Sequence, residues 1–335
     1  MEYLFDKIDE DYGIESLDAY IVFDADNLLH PKFIEEMNKT LASGANIAVG
    51  YRNTKNFDRN FISAGYGIHF IRSVISYHRP RVWMHTSTHI AGTGFAVASH
   101  LLKDGWHYTC LTEDTQFTLN SVADGEYIAF CEDAEFFDEQ PYQVRVMVRQ
   151  RMRWIKGRLY SFLTTFHKLL KGMFTRGGIG SFSCFDMFMY AFPSSIYYAI
   201  RDIAAPFIDW AVSFIIALFV GDAIGIGSGT GDSKAFYLIV WGLIAPKIEE
   251  FIRNCIKGTL VVIREHKRIH CPPLKLAFYT FLFPWFDMIG APLSIMALFS
   301  TSQWRPIKHD EVISIDQLTG NKNEGDNDSY EDMLK

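Results

Sequence analysis

The sequence predicts an α/β domain with a mostly parallel sheet, followed by an α-helical membrane unit. Residues 1–140 alternate short apolar runs with helical patterns, which is typical of strands joined by helices. Residues 141–181 are basic and aromatic, and residues 182–309 contain several long apolar runs. Residues 310–335 are acidic and polar, and they predict a disordered tail.

Charge is distributed unevenly along the chain. The formal net charge is −7, which argues against a general nucleic-acid-binding protein. Nine arginines and lysines nevertheless fall within residues 141–176. The five cysteines lack the spacing of metal ligands, and we expect them to be free thiols in a reducing compartment.

The first buried strand is predicted over residues 19–23, and it ends in two carboxylates, Asp24 and Asp26. Side chains at positions i and i+2 of an extended segment point the same way. Two such carboxylates at a strand end suit Mg²⁺ or Mn²⁺ that carries a diphosphate. The alternative is an ordinary turn, where Asp and Asn are common.

Further strands and helices continue the α/β pattern. Residues 47–50 and 127–130 predict strands, and residues 89–98 predict a turn that leads into a strand. Residues 61–79 predict a helix with one apolar side. Another helix is predicted from residue 112 to residue 123, with Thr112 or Asp114 as its N-cap and a helix-terminal position that favours ionised Asp114.

Four apolar runs follow the basic region. One such run is compatible with a core helix, but four in succession favour a membrane unit. Pro193, Pro284 and Pro292 interrupt two of them. The runs are residues 182–200, 203–226, 235–263 and 276–299.

The distribution of basic residues predicts how these runs are arranged. The positive-inside rule places the region before residue 181 in the cytoplasm, together with Arg264, Lys267 and Arg268. We therefore expect residues 203–226 to cross outward and residues 235–263 to return. A glycine-rich external turn would join them, the run before them would lie at the interface, and the last run would be re-entrant or interfacial. Alternatively, the last run is a full span and the tail is external. The turn covers residues 227–232.

Two further clusters carry chemistry. Glu113 and Asp114 open a predicted helix. Gln150, Arg153 and Trp154 fall at i, i+3 and i+4, so on a helix they share one face. Arg binds phosphate oxygens through two donors, and Trp suits the apolar face of a sugar ring. Taken singly, Trp154 is compatible with a core residue or a membrane-interface anchor, and Arg153 with a head-group contact.

Together these residues resemble the motifs of processive, membrane-integrated family 2 glycosyltransferases, which include cellulose, chitin, hyaluronan and poly-N-acetylglucosamine synthases. The DxD motif is Asp24-Ala25-Asp26, the TED motif is Thr112-Glu113-Asp114, and the QxxRW motif spans residues 150–154. Gly92-Thr93-Gly94 occupies the position of a loop under the acceptor sugar in that family. Residues 304–309 resemble the end of the membrane unit in many bacterial members.

The resemblance implies a GT-A type domain at the cytoplasmic face of the cell membrane, in a multi-pass protein. It implies a metal-dependent, inverting transfer from a UDP-sugar to a growing β-linked polysaccharide. Asp114 would be the general base, supported by Glu113, and Mg²⁺ or Mn²⁺ would bind Asp26 with Asp24 close by. The residues implied for the acceptor and the diphosphate are Gln150, Arg153, Trp154, Gly92, Thr93 and Gly94.

The sequence departs from this family before its DxD motif. Members carry one or two βα units there, which bind the nucleotide base, whereas 23 residues precede Asp24 here. We therefore expect an N-terminally truncated enzyme. Two alternatives stay open. One is a non-processive membrane glycosyltransferase that acts on a lipid or short glycan. The other is an inactive membrane subunit that depends on a partner chain for the missing part.

Overall fold

The computed structural model describes residues 1–224, 231–300 and 313–319, with side chains outside residues 213–239. Five strands form one sheet near the N-terminus, and long helices dominate the rest. The strands are β1 (Ala19–Val22), β2 (Leu28–Leu29), β3 (Ile47–Thr54), β4 (Phe95–Ala98) and β5 (Ile128–Asp138). The helices that accompany them are α1 (Glu2–Tyr12), α2 (Phe33–Ala42), α3 (Phe61–Ser73), α4 (Arg79–Trp83) and α5 (Glu113–Asp124).

The later helices follow without further strands in the described residues. They are α6 (Val144–Thr175), α7 (Gly178–Ala191), α8 (Ser194–Ile224), α9 (Gly231–Glu265), α10 (Pro273–Met288), α11 (Gly290–Phe299) and α12 (Ile315–Thr319). Helix α12 lies within the segment predicted to be a disordered tail, and its Leu318 is buried.

The sheet is mixed, and the prediction of a mostly parallel sheet is wrong. Its strand order is β1-β4-β3-β5-β2, and only the β3–β5 pairing is parallel. Strand β4 lies antiparallel between β1 and β3, and β2 pairs antiparallel with β5. An apolar run has the same pattern in either direction, so the sequence alone did not reveal how β4 is oriented.

The mixed order brings several chain segments to one edge of the sheet. Strands β1, β3 and β5 run in the same direction, because β1 and β3 are each antiparallel to β4 while β3 and β5 are parallel. Their C-terminal ends therefore meet at the same edge. The antiparallel β4 begins there, so the loop before it, residues 91–94, reaches the edge as well. This edge is where the polar side chains described below converge.

Two glycines allow close packing next to this edge. Gly94 has φ +70°, and a Cβ atom there would lie 2.1 Å from the ring of Phe136. A Cβ atom on Gly50 would lie 2.5 Å from the carbonyl oxygen of Ala134. The β3–β5 register shifts directly after Gly50, and β5 continues to Asp138 instead of ending near residue 130 as predicted.

The helical part packs directly against the sheet domain. Helix α6 lies against α5 and α7, and α10 lies against α3 and α9. Phe286 of α10 packs on Gly65 and edge-on to Tyr66 of α3. At the end of α9, buried Glu265 accepts a hydrogen bond from the Tyr51 hydroxyl at 3.2 Å, and Arg268 covers the Tyr51 ring. The basic segment after α9 therefore lies on the side of the sheet domain.

One helical segment, Pro273–Phe299, is long and apolar enough to cross a membrane, by length and composition only, in the described residues. Its most apolar window is 33% buried. This is weak evidence, and it does not support the predicted pair of spans at residues 203–226 and 235–263. Most of the predicted turn at residues 227–232 lies outside the described residues, and so do residues 304–309.

Candidate active site

A cavity of about 1760 Å³ opens at the polar edge of the sheet and continues between the long helices. All three predicted motifs contribute to its wall, although 88 residues separate Asp26 from Asp114 along the chain. Of the glycine loop, Gly92 lines the cavity, whereas Thr93 and Gly94 lie behind it. The predicted residues that line the cavity are Asp24, Asp26, Gly92, Glu113, Asp114, Gln150, Arg153 and Trp154.

The carboxylates after β1 lie in a turn that faces the cavity. The Asn27 amide N–H donates to the Asp24 carbonyl oxygen at 3.1 Å, as expected for a turn. Thr93 holds this turn, since its hydroxyl accepts from the Asp24 N–H at 2.9 Å and donates to Asn27 Oδ1 at 2.5 Å. These residues can therefore form both a turn and a metal-binding site. Thr93 contacts the turn and does not line the cavity.

A second set of charged residues surrounds this turn, and the sequence analysis missed it. Lys55 Nζ donates to the Asp26 carbonyl oxygen at 3.1 Å and pairs with Glu139 at 3.0 Å. The Glu139 N–H donates to Asp26 Oδ2 at 3.2 Å. Arg52 forms an ion pair with Asp138, and its guanidinium lies over the Phe70 ring at 3.8 Å. Asp26 is thus held by Lys55 and Glu139, which directly follow β3 and β5.

The sequence does contain a pattern that indicates part of this set of charged residues. Asp138, Glu139 and Gln140 follow an apolar strand, as Asp24 and Asp26 do. Polar residues at a strand end therefore recur in both places. Arg52 and Lys55 carry no comparable signal, because the carboxylates with which they form ion pairs lie 84 or more residues away.

The donor set at this edge suits a metal that is bound together with a diphosphate. In the described part of the chain, no three His, Cys, Asp or Glu side chains are arranged to hold a metal ion. Mg²⁺ is commonly bound through one or two carboxylates plus phosphate oxygens, so Asp24 and Asp26 fit that requirement. Asp138 and Glu139 are engaged with cations, so we do not count them as ligands.

Asp114 begins α5 and has a raised pKa. Burial and the like charge of Glu113 raise the pKa of Asp114 to about 6. The Thr115 backbone N–H, Arg153 and Arg158 favour the carboxylate but are outweighed. The Thr115 backbone N–H acts in the direction predicted for a helix start, but burial outweighs it, so Asp114 ionises less readily than a free carboxyl group, contrary to prediction. Glu113 also lines the cavity.

Helix α6 is packed tightly against the start of α5. Thr112 occupies the N-cap position, but its side chain makes no capping hydrogen bond, contrary to prediction. It packs instead on Gly157, where a Cβ atom would lie 2.4 Å from the Thr112 side chain. Arg153 Nη1 donates to the Leu111 carbonyl oxygen at 2.7 Å. These contacts set the position of the Gln150–Trp154 face relative to Asp114.

The remaining side chains of the QxxRW motif divide between cavity and core. Gln150 Oε1 is buried and has no hydrogen-bond partner among the described residues. The Trp154 ring packs edge-on against Tyr66 and Phe70, with ring centroids 5.8 and 6.0 Å apart. Arg151 Nη1 donates to the carbonyl oxygen of Phe286, which ties α6 to α10.

The far half of the cavity is lined by charged residues of α8 and α9. Lys247 bridges Asp202 at 3.0 Å and Glu250 at 2.8 Å. Arg253 and Lys257 continue the same side of α9. The sequence shows these charges as interruptions of an apolar run, and the structure shows that they face one polar space.

Comparison with known proteins shows the family to which the chain belongs. The model of glycosyl transferase family group 2 matches residues 20–223, which is more than half of the chain. The chain therefore belongs to this family of glycosyltransferases. It is also similar to the probable glycosyltransferase YdaM of Bacillus subtilis (strain 168), with 35% identity over 92 residues. That match covers 26% of this chain and 22% of the relative, so the matched part is about a fifth of the relative's length.

The processive subtype, the roles of the individual site residues and the N-terminal truncation stay predictions. In the described sheet, β1 is an edge strand.

Proposed function

We propose that the chain transfers a sugar from a UDP-sugar to the end of a growing β-linked polysaccharide, with inversion at the anomeric carbon. The observation that carries this proposal is the convergence of Asp24 and Asp26, Asp114, and the Gln150–Trp154 face on one cavity. These groups would supply what such a transfer needs: a binding site for the diphosphate, a base, and a surface that binds the acceptor.

The donor diphosphate would lie at the turn that carries Asp24 and Asp26. Mg²⁺ or Mn²⁺ held there would neutralise the diphosphate and make it a better leaving group. Lys55 and Glu139 keep Asp26 in place. Arg153 and Gln150 line the same cavity, where their side-chain N–H groups would donate to the departing oxygens.

Asp114 would remove the proton from the acceptor hydroxyl. The hydroxyl oxygen then forms a bond to the anomeric carbon while the bond to the diphosphate breaks on the opposite face, which inverts the configuration. A base with a pKa of about 6 is ionised at neutral pH and still basic enough to accept a proton in the transition state. Trp154 would stack on the terminal sugar of the acceptor.

We place the protein in the cell membrane as a multi-pass protein, with the sheet domain in the cytoplasm. Helix α9 supports this placement, because one of its sides lines the polar cavity while the other exposes a row of apolar residues. That row, the outer stripe of α9, consists of Trp241, Ile244, Ile248, Ile252, Ile256, Leu260 and Ile263, each at least 45% exposed. It is roughly 30 Å long, about the thickness of the hydrocarbon core of a bilayer.

The test is an assay of sugar transfer by the full chain in membranes, with a panel of radiolabelled UDP-sugars. We expect one donor to label a product that carries many sugars. Asp114→Asn should abolish transfer while donor binding, measured by calorimetry, stays near the wild-type value. Asp124→Asn is the matched control, since Asp124 is an exposed carboxylate on the same helix.

The products separate this function from its alternatives. A product with one added sugar would favour a non-processive enzyme that acts on a lipid or short glycan. Donor binding without any transfer would favour an inactive or partner-dependent subunit. Wild-type turnover by Asp114→Asn would remove Asp114 from the role of base.

A further inference from the structure

A column of stacked rings connects the sheet to the cavity. It begins at Phe130 of β5, which stacks on His78 at 4.8 Å between ring centroids. His78 stacks on His89 at 4.6 Å, and His89 stacks on Tyr190 of α7 at 4.3 Å. The Arg158 guanidinium lies over the Tyr190 ring at 4.9 Å from its centroid and completes the column.

The interior of this column does not carry charge at ordinary pH. Burial lowers the pKa of His78 to about 3, and the pKa of His89 lies well below its usual value for the same reason. The neighbouring Arg81 further disfavours protonation of both rings. The two histidines therefore act as neutral aromatic plates, and Arg158 carries the charge at the cavity end.

Arg158 differs from the other guanidinium in contact with the column. Arg81 forms an ion pair with Asp186 at 2.5 Å, so its charge is already compensated. Arg158 makes no ion pair with a carboxylate in the described residues; its contacts are the Tyr190 ring and a long contact from Nη2 to the Tyr190 hydroxyl at 3.5 Å. Its side chain lines the cavity.

The column also places Arg158 near Asp114. The residue before Arg158 is Gly157, which packs directly on Thr112, two residues before Asp114. Helix α7, which carries Tyr190, packs against α5 as well. Arg158, Tyr190 and Asp114 all line the cavity.

We propose that Arg158 is a positioning residue that acts through Asp114, with the ring column holding its guanidinium beside the base so that the carboxylate form is stabilised. This inference rests on the proposed role of Asp114 as the base. It also explains why Arg158 lines the cavity without an ion pair in the described residues, because its charge acts on the Asp114 carboxylate.

Four groups act on Asp114 from the elements packed around it. Glu113, on its own helix, opposes ionisation. Arg153 and Arg158 on α6 favour ionisation, and the Tyr190 hydroxyl approaches from α7. Arg153 is also bonded to the Leu111 carbonyl oxygen, so Arg158 is the cation whose removal disturbs the backbone least.

The test measures the protonation of Asp114 without relying on turnover. Dicyclohexylcarbodiimide reacts with protonated carboxyl groups, and peptide mass spectrometry distinguishes Asp114 from Glu113. The wild-type extent of modification should fall with rising pH, with a midpoint near pH 6. In Arg158→Gln the midpoint should move to higher pH, and modification at pH 7 should rise about twofold or more.

Further variants separate the charge from the column. Arg158→Lys keeps a cation and should lie between wild type and Arg158→Gln. Tyr190→Leu removes the plate and should shift the midpoint upward, whereas Tyr190→Phe keeps the ring and should not. Lys156→Gln is the matched control, because Lys156 lies on the same helix but does not line the cavity.

The outcomes are distinct from those of the transfer assay. A wild-type midpoint in Arg158→Gln would overturn the inference, even if its melting temperature fell, because a purely structural role would change stability alone. A shifted midpoint in a chain that transfers no sugar would retain the electrostatic pairing and reject the proposed function. When transfer is present, the acidic limb of kcat/KM in Arg158→Gln should move upward with the labelling midpoint.

Discussion

Asp114 is the residue whose environment most directly predicts a measurable property. Its pKa is raised to about 6 by burial and by Glu113, and its proposed role as the base requires the ionised form. Lowering the pH through 6 should therefore reduce kcat/KM, by about tenfold for each further pH unit. A pH series of initial rates, with protein stability followed in parallel by circular dichroism, checks this. A rate that stays constant down to pH 5 while the protein remains folded would contradict it.

Asp26 allows a second test at the level of single residues. Asp26→Ala should weaken binding of UDP in the presence of Mg²⁺ by at least about tenfold, because a ligand to the diphosphate-bound metal is lost. Calorimetric titration of the purified full chain measures it. Asp133→Ala is the control, since Asp133 is exposed on β5 and does not line the cavity. Equal affinity of Asp26→Ala and wild type for UDP with Mg²⁺ would contradict the assignment of Asp26 as a metal ligand.

The loop before β4 gives a prediction for a structural element. Gly94→Ala places a methyl group against Phe136 at φ +70°, so we expect a loss of about 3 kcal/mol or more in the free energy of unfolding. Gly92→Ala is the matched control variant, because Gly92 also has positive φ (+87°) but nothing lies within 4 Å of the added methyl group. It should lose only about 1 kcal/mol.

Thermal melts of both glycine variants in detergent provide the comparison. Equal losses would show that backbone conformation, and not contact with Phe136, determines the requirement for glycine. Either variant also reports on the site, because Thr93 between them holds the Asp24 turn.

Elements differ in how well they could be predicted. Helix α5 and strand β1 have local periodicity, and both were predicted within a few residues. Strand β4 was also found, but its direction was not, since direction depends on pairing with β1 and β3 and not on local pattern. Strand β2 was missed because two residues carry no periodicity. The five cysteines form no disulfide, as predicted.

The molecule as a whole makes a prediction about membranes. The outer stripe of α9 would contact lipid, so Ile252→Glu combined with Ile256→Glu should prevent stable insertion, at a cost of about 3 kcal/mol for each charge. Wild-type protein should remain in the membrane pellet after a carbonate wash, and the double variant should leave it or fail to accumulate. Tyr12→Glu, a charge on an exposed aromatic position of α1, is the control. Wild-type protein in the carbonate supernatant would refute the placement.

By itself, the sequence determined which residues are proposed to take part in the reaction. Carboxylates at a strand end, an acid at a helix start and three side chains on one helix face are local features, and short-range geometry predicts them. Only the tertiary structure decided that they share one cavity, which cations surround Asp26, and that Arg158 lies at the end of a ring column. Those properties depend on contacts between segments that are distant along the chain, such as the ion pair of Arg52 with Asp138. Local sequence patterns carry no signal for such contacts.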